Sequence, residues 1–179
     1  MSDALQFQIT SRCRQTQARV GRIETLHGGF DTPAFMPVGT KATVKGLMPE
    51  QIAATGSQIL LNNAYHLLLR PGDEMVAERG GVHEFMRWSG PILTDSGGYQ
   101  AFSMADINSL DDEGVTFKSI IDGSRIHLGP ERSMSVQNNL GADIIMAFDD
   151  CPPAGDPAED GPAAQAAFRH RLEEAVDRT

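Results

Sequence analysis

The stretch Gly90–Ser103, GPILTDSGGYQAFS, decides the fold that the sequence predicts. Pro91–Thr94 is a short apolar run after a Gly-Pro break, which is typical of a buried strand. The run ends at Asp95, and Ser96-Gly97-Gly98 then turns the chain toward a helical turn at Tyr99. Glycine permits positive φ and a close approach of the backbone to a ligand. Backbone N–H groups at a strand-to-helix junction favour an electron-rich ligand, although Asp95 or Ser96 could equally serve only as a helix cap.

A second apolar run, Ala142–Phe148, ends in the same way, at Asp149-Asp150-Cys151. Two buried strands that each deliver an acid at the C-terminal end are typical of an α/β barrel, whose active site lies at that end. We therefore predict a TIM-type (β/α)8 barrel. A whole barrel takes about 250 residues and eight strands, whereas residues 1–179 offer only three or four candidate barrel strands, so they are expected to supply about half of it, as part of one catalytic domain.

The other elements follow from local signals. Val115–Ile121 and Ser124–Leu128 flank Asp122-Gly123, which predicts a hairpin insertion with a type I′ turn. Pro130–Leu140 is predicted as a helix that Gly141 ends. A small antiparallel element is predicted from the strands Leu5–Thr10 and Ala18–Ile23. The remaining predictions are a strand at Ser57–Asn62, helices at Pro49–Thr55, Asn63–Leu69, Asp73–Arg79, Val82–Trp88 and Ala163–Arg178, and an acidic Pro/Gly-rich loop at 151–164.

Composition narrows the class of protein. No apolar run is long enough to span a membrane, and the first residues lack the basic and apolar regions of a secretory signal. The two cysteines, Cys13 and Cys151, are far apart and have no metal-ligand spacing, which predicts a reduced, cytoplasmic protein. His66 has no second His or Cys at i+3 or i+4, so we expect it to be a packed or hydrogen-bonded histidine.

The charge is unevenly distributed. The formal net charge is −9, and residues 103–179 carry 6 basic and 15 acidic side chains, whereas residues 1–102 are balanced. A negative net charge counts against binding of nucleic acid through the overall charge of the chain. A local basic patch could still bind nucleic acid.

Several motifs together resemble one family. In chain order they are Pro37-Val38-Gly39-Thr40, Val44-Lys45-Gly46, Asn63 with Tyr65-His66-Leu67, Leu69-Arg70-Pro71-Gly72, Gly90–Gln100, Asp122-Gly123-Ser124, and Phe148–Cys151. From about Phe7 onward the chain resembles the N-terminal part of tRNA-guanine transglycosylase, the bacterial queuine tRNA-ribosyltransferase. The most specific part of the match is Thr94–Gln100, TDSGGYQ, followed by Phe148–Cys151.

The resemblance implies a base exchange on tRNA. Such enzymes replace guanine at the wobble position of GUN anticodons by the queuosine precursor preQ1, through a covalent ribosyl-enzyme intermediate. It therefore implies tRNA and the guanine or preQ1 base as partners, a homodimer for the whole protein, and no membrane partner.

The resemblance also implies roles for the residues of the central stretch. Asp95 is the catalytic acid/base carboxylate, and Asn63 lies nearby to orient it. The residues that would line the base pocket are Ser96, Gly97, Gly98 and Tyr99, and the Tyr99 ring would stack on the purine.

The resemblance assigns recognition of the base to the second acidic motif, Asp149-Asp150-Cys151. Asp149 would accept two hydrogen bonds from guanine, from N1–H and from the exocyclic amine. Asp150 stands where the family usually has Glu. Cys151 stands where the bacterial branch has Cys, which favours preQ1 over queuine.

The chain also departs from the family pattern. The family's nucleophilic aspartate and its Cys-x-Cys-x-x-Cys…His zinc site have no counterpart in residues 1–179. Zinc is therefore expected for the whole protein, with no metal ligand in this chain. Expressed alone, residues 1–179 are expected to be an inactive fragment, or a natural truncation, that associates through uncovered strand edges.

Two other classes of function stay open. One is a non-catalytic partner subunit of the same family, which the presence of Asp95, Tyr99 and Asp149 argues against. The other is an unrelated barrel enzyme of the aldolase or isomerase type. That enzyme would need a catalytic lysine at a strand end, and neither Lys41, Lys45 nor Lys118 is so placed.

Overall fold

A computed structural model of the chain describes residues 5–104, 107–152 and 161–179, which contain nine strands and seven helices. The strands are β1 Gln6–Arg12, β2 Arg19–Thr25, β3 Gly28–Thr32, β4 Val38–Gly39, β5 Leu60–Asn62, β6 Ile92–Thr94, β7 Ile107–Asp111, β8 Gly114–Lys118 and β9 Arg125–Leu128. The helices are α1 Pro49–Ala54, α2 Ala64–Leu69, α3 Asp73–Glu78, α4 Gly81–Met86, α5 Gly98–Met104, α6 Pro130–Leu140 and α7 Pro162–Arg178. None of these helices is long and apolar enough to cross a membrane. Most of the loop predicted at 151–164 lies outside the described residues.

The chain divides into two compact units. The first runs up to Asp95 and also includes Ser135–Met146. The second consists of Ser96–Met134 and Ala147–Thr179. Helix α6 contributes its first residues to the second unit and its last residues to the first.

The antiparallel sheet of the first unit has the order β1-β2-β3. The alternating pattern near the N-terminus predicted the first two strands, and they pair with Phe7 opposite Ile23. Gly21 in β2 leaves room for the Phe7 ring, since a Cβ there would lie 2.6 Å from Phe7 Cε2. The third strand begins at Gly28, which pairs with Thr25 and so continues the ladder directly after the turn at Leu26-His27.

The second sheet of this unit is parallel, with the order β4-β5-β6. Leu60 pairs with Ile92 and Asn62 with Thr94, so β5 and β6 end side by side. The first and last residues of each of these two strands are buried, as is typical of continuous apolar runs in a parallel sheet. Because the carboxyl ends of parallel strands meet at one edge, the residues that follow β5 and β6 become neighbours.

The helices cover this parallel sheet with an apolar core. The core residues come from the strands, from helices α1 to α4 and α6, and from the segments that follow β4 and α4, and each is less than a tenth exposed: Ala42, Ile52, Leu60, Ala64, Leu67, Val76, Val82, Met86, Trp88, Ile92, Val136 and Leu140. Burying a Val, Leu, Ile or Met side chain completely stabilises a fold by about 1.5–3 kcal/mol.

One predicted strand is wrong for most of its length. The run Ala142–Phe148 forms only a single parallel bridge, from Ile144 to Leu93. After Ile144 the backbone bonds to a side chain instead of a strand: Gln137 accepts from Met146 N–H at 2.9 Å and donates to Met146 O at 2.8 Å. The apolar side chains of Ile145 and Met146 are correspondingly 37% and 46% exposed.

The second unit contains the antiparallel sheet β7-β8-β9. The predicted hairpin is present as β8 and β9, but its turn is not the two-residue type I′ turn. Lys118 pairs with Arg125, which leaves a loop of Ser119–Ser124 between the strands. A type I′ turn needs positive φ at both central residues, and of Asp122 and Gly123 only Gly123 has it, at 73°.

The described residues are thus a mixed α/β structure of three three-stranded sheets, without a closed barrel among them. Helix α6 begins and ends where Pro130 and Gly141 predicted, and Gly141 has the expected positive φ of 70°. The parallel sheet supplies one of the two acidic motifs of the predicted active site.

Candidate active site

The first acidic motif lies at the end of the parallel sheet. Asp95 follows β6, and Asn63 follows the neighbouring strand β5. The Asn63 amide donates to Asp95 Oδ2, and the N–H of Ala64, the first residue of α2, donates to Oδ1 at 2.9 Å. The half-buried carboxylate is therefore held in one orientation by two donors, as expected of a group that must be aimed at a reacting centre.

His66 belongs to the same neighbourhood, which the sequence did not indicate. It lies on α2, three residues after Asn63, and is half-buried. Burial lowers the pKa of His66, the charge of Lys41 lowers it further, and the Asp95 carboxylate opposes both. The imidazole is thus biased toward its neutral form, which can both donate and accept a hydrogen bond.

The second acidic motif lies in the second unit. Ser96 donates from Oγ to Asp149 Oδ1 at 2.8 Å, and the N–H of Gly98 donates to Ser96 Oγ at 3.2 Å. Ser133 on α6 donates to the Ser96 carbonyl at 2.7 Å. Ser96 is buried, and Asp149 is half-buried. Asp149 is therefore a positioned carboxylate with one oxygen engaged by a hydroxyl.

The two glycines of this motif serve different purposes. Gly97 has φ of 81°, so its backbone adopts the left-handed conformation that the sequence predicted. Gly98 is needed for space instead, because a Cβ there would lie 2.6 Å from the Asp149 carbonyl oxygen and 2.8 Å from Oδ1.

The other two predicted site residues of this unit differ in exposure. Tyr99 follows Gly98 on α5, and its side chain is 61% exposed. Cys151 is a free, half-buried thiol two residues after Asp149. Exposure of Tyr99 is compatible with a ring that stacks on a ligand.

Asp150, beside Asp149, faces a different environment. Its side chain is only 4% exposed and receives hydrogen bonds from Arg171 and Arg178 of α7. Burial raises the pKa of Asp150, but the hydrogen bonds from the two arginines outweigh it, so the pKa lies below its ordinary value. No sequence pattern connected α7 with this motif.

A third polar cluster, in the first unit, was also absent from the sequence prediction. His27 Nδ1 lies 2.8 Å from Asp143 Oδ1, and His83 Nε2 lies 3.0 Å from Oδ2. The N–H of Ile92 also donates to Oδ2, at 2.9 Å. Burial lowers the pKa of His83, and the charge of His27 adds to that effect. Burial raises the pKa of Asp143, but donors led by His27 and Ile92 bring it below its ordinary value.

Within the described residues, His27, His83 and Asp143 are close enough together to be considered as metal ligands, since their three ligand atoms lie within 4.8 Å of one another. The His27 and His83 rings are stacked, with centroids 3.6 Å apart and planes inclined by 15°. The lone pairs of nearly parallel rings do not converge on one ion. The geometry is that of one carboxylate accepting from two imidazoles, at the N-terminal end of β6.

The zinc site that the family resemblance implies does not fit the residues of this chain. That site needs three cysteines and a histidine, and Cys13 and Cys151 are the only cysteines in the sequence. Cys13 is exposed, and Cys151 follows the second acidic motif.

The structure thus brings the predicted residues together as two groups. Asn63 and Asp95 form a hydrogen-bonded pair in the first unit. Ser96 and Asp149 form another in the second unit, with Gly98 packed against them. The family resemblance predicted that Asn63 lies near Asp95, whereas the hydrogen bond between Ser96 and Asp149 was not predicted.

Comparison with known proteins relates nearly the whole chain to one family. A sequence model described as queuine tRNA-ribosyltransferase matches residues 13–179. Similar proteins from several organisms bear that description, among them the following three. The protein of Acetivibrio thermocellus is 56% identical over 150 residues, which are 84% of this chain and 40% of the relative. That of Synechococcus sp. strain CC9311 is 56% identical over 164 residues, 92% of this chain and 44% of the relative. That of Synechococcus elongatus is 52% identical over 174 residues, 97% of this chain and 45% of the relative. The chain spans less than half the length of these relatives.

Proposed function

Because the chain belongs to the queuine tRNA-ribosyltransferase family and corresponds to its N-terminal part, we propose that it is part of a tRNA-guanine transglycosylase. The whole protein exchanges guanine at the anticodon wobble position of tRNA for the base preQ1. Its substrates are tRNA and the free base, and the reaction breaks and remakes an N-glycosidic bond.

The observation that supports guanine recognition is the Ser96–Asp149 hydrogen bond. An ionised carboxylate offers about four lone-pair sites, so Asp149 can accept from Ser96 and still receive two further hydrogen bonds. Guanine presents two adjacent donors, N1–H and the exocyclic amine, that match the two carboxylate oxygens. Adenine presents an acceptor at N1, which a carboxylate repels, and the pair therefore favours guanine.

Asp95 supplies the carboxylate for the chemical step in this proposal. Cleavage of an N-glycosidic bond develops positive charge at the anomeric carbon of the ribose, and a fixed carboxylate stabilises that charge or transfers a proton. The donors from Asn63 and Ala64 hold the Asp95 carboxylate in one orientation. An enzyme that acts on a base must also take it out of the stack, and the exposed ring of Tyr99 offers a stacking face.

Three finer points stay predictions from the resemblance. They are the closed TIM-type barrel of the whole protein, its homodimer, and the preference for preQ1 through Cys151. The half-buried thiol two residues from Asp149 supports the last of these.

The test of the proposed function is Asp149→Asn in the whole protein. The amide places a donor opposite a guanine donor, and loss of a charge-assisted hydrogen bond should lower the rate of labelled-guanine exchange into tRNA by about 10- to 100-fold. Asp177→Asn, at an exposed position of α7, is the matched control and should exchange guanine like the parent. A parental exchange rate in Asp149→Asn would contradict the assignment.

A further inference from the structure

The buried carboxylate of Asp150 has an unusually complete set of partners. Arg171 meets it with both ends of its guanidinium: Nη1 donates to Oδ2 at 2.9 Å, and Nη2 donates to Oδ1. Arg178, two helical turns further along α7, donates from Nη1 to Oδ2 at 3.2 Å. A bidentate arginine fixes the orientation of a carboxylate as well as its position.

The main chain at Asp150 is held by the same end of the helix. The N–H of Asp150 donates to Thr179 Oγ1 at 3.3 Å, and that hydroxyl donates to the Ala175 carbonyl at 2.8 Å. The peptide plane that carries this N–H also carries the carbonyl group of Asp149. That carbonyl packs against Gly98, where a Cβ would lie only 2.6 Å away. The peptide between Asp149 and Asp150 is therefore held both by α7 and by the glycine turn.

A contribution to stability does not by itself explain why Asp150 is buried with two arginines. The desolvation of a buried ion pair can exceed its attraction, and well-packed apolar residues of similar volume are often as stabilising. In addition, the two arginines fix the position and orientation of the Asp150 carboxylate, and Asp149 is the residue directly before Asp150 in the chain. Asp149 is the carboxylate that Ser96 orients.

We infer that Asp150, Arg171 and Arg178 form a positioning device for the Asp149 carboxylate, through which helix α7 determines how well the site accepts guanine. The inference rests on the proposed function, because these residues act only through Asp149. None of the three has to contact the base.

The experiment compares variants of Arg171 in the whole protein. Arg171→Gln removes the positive charge and the guanidinium group that makes the bidentate contact, whereas Arg171→Lys keeps the charge and loses only the bidentate contact. Arg169→Gln, at an exposed position of the same helix, is the matched control. The measurements are KM and kcat for labelled guanine in exchange into tRNA, together with the melting temperature.

We expect Arg171→Gln to raise the KM for guanine by about 10²-fold, the factor that follows when a site group is misplaced by about 1 Å. The kcat should change far less, because Asp149 binds the base in the ground state and the transition state alike. Arg171→Lys should lie between Arg171→Gln and the parent, and Arg169→Gln should match the parent.

A purely structural role predicts a different result. It lowers the melting temperature of Arg171→Gln and leaves the KM for guanine unchanged at a temperature where the variant is fully folded, and that result overturns the inference. Should Arg171→Gln fail to fold, Asp150→Asn tests the same positioning role, because asparagine keeps the shape of the aspartate side chain and both arginines stay in place. An unchanged KM in Asp150→Asn likewise overturns the inference.

Asp149→Asn, measured beside these variants, separates the two proposals. Parental exchange in Asp149→Asn overturns the proposed function itself. Loss of exchange in Asp149→Asn, combined with parental KM values in the Arg171 and Asp150 variants, overturns only the positioning role.

Discussion

Gly98→Ala tests how tightly the second acidic motif is built. Gly98 lies at the start of α5, outside the left-handed region of φ, so its backbone accepts an alanine. The added methyl group would lie 2.6 Å from the Asp149 carbonyl oxygen, 2.8 Å from Asp149 Oδ1 and 3.3 Å from Ser96 Oγ. Ordinary contacts of a Cβ begin at 3.4 Å. The Asp149 carbonyl must therefore retreat by about 0.8 Å and the carboxylate oxygen by about 0.6 Å.

Two effects on stability oppose each other in this variant. Alanine in a helix is more stable than glycine by up to about 1 kcal/mol. Overpacking of a tight contact costs about 1–3 kcal/mol. We expect a net loss of about 1 kcal/mol in the free energy of unfolding, which a denaturant titration measures.

The effect on function should be larger than the effect on stability. A displacement of Asp149 that approaches 1 Å should lower kcat/KM for guanine exchange by about 10²-fold. Gly161→Ala is the control, because Gly161 is the N-cap of α7 and a Cβ there meets nothing within 4 Å. If Gly98→Ala kept the parental kcat/KM, Asp149 would not be the guanine-binding group, or the contact would not constrain it.

Two further predictions concern the first unit. Asp95→Ala should lower turnover by about 10²–10⁴-fold, while the loss of its hydrogen bonds to Asn63 and the Ala64 N–H costs only about 1 kcal/mol of stability; a variant that loses stability but keeps turnover would identify Asp95 as a helix cap only. The hydrogen-bonded cluster of His27, His83 and Asp143 should make the free energy of unfolding depend on pH. The folded-state pKa values of His83 and Asp143 are both below their ordinary values, so the unfolded chain binds more protons as the pH falls. Stability should therefore decrease below about pH 6.5 through His83, and again below about pH 4 through Asp143. His83→Gln should remove the first decrease, as measured by denaturant unfolding between pH 8 and pH 5, and a parental pH profile in that variant would contradict this assignment.

The sequence predicted best the features that depend on neighbours in the chain. Pro130 and Gly141 delimit α6 because each acts on its own backbone. The Asn63–Asp95 pair was predicted from the family resemblance, and in the structure each residue directly follows one of two adjacent parallel strands. The ends of α6, by contrast, have their physical cause in a few consecutive residues.

The features that the sequence did not predict depend on side chains from distant segments. The run Ala142–Phe148 has the apolar composition of a strand, but Gln137 binds the backbone of Met146 in place of a neighbouring strand. The arginines that bind Asp150 lie more than twenty residues further along, on an amphipathic helix whose basic residues look like an ordinary solvated face. His27, His83 and Asp143 come from three distant segments of the chain, without a spacing that identifies them.

The Gln137–Met146 contact also affects the exchange of amide protons with solvent. The Met146 side chain is nearly half exposed, so its amide would be expected to exchange as fast as a loop amide. The partner of that amide, however, is a fully buried side chain on the same helix as Val136 and Leu140, which belong to the apolar core. Breaking the hydrogen bond for long enough to exchange requires α6 to separate from the core. The Met146 amide should therefore exchange as slowly as the amides in the second half of α6, which makes one proton in an irregular segment a probe of how firmly that helix is docked.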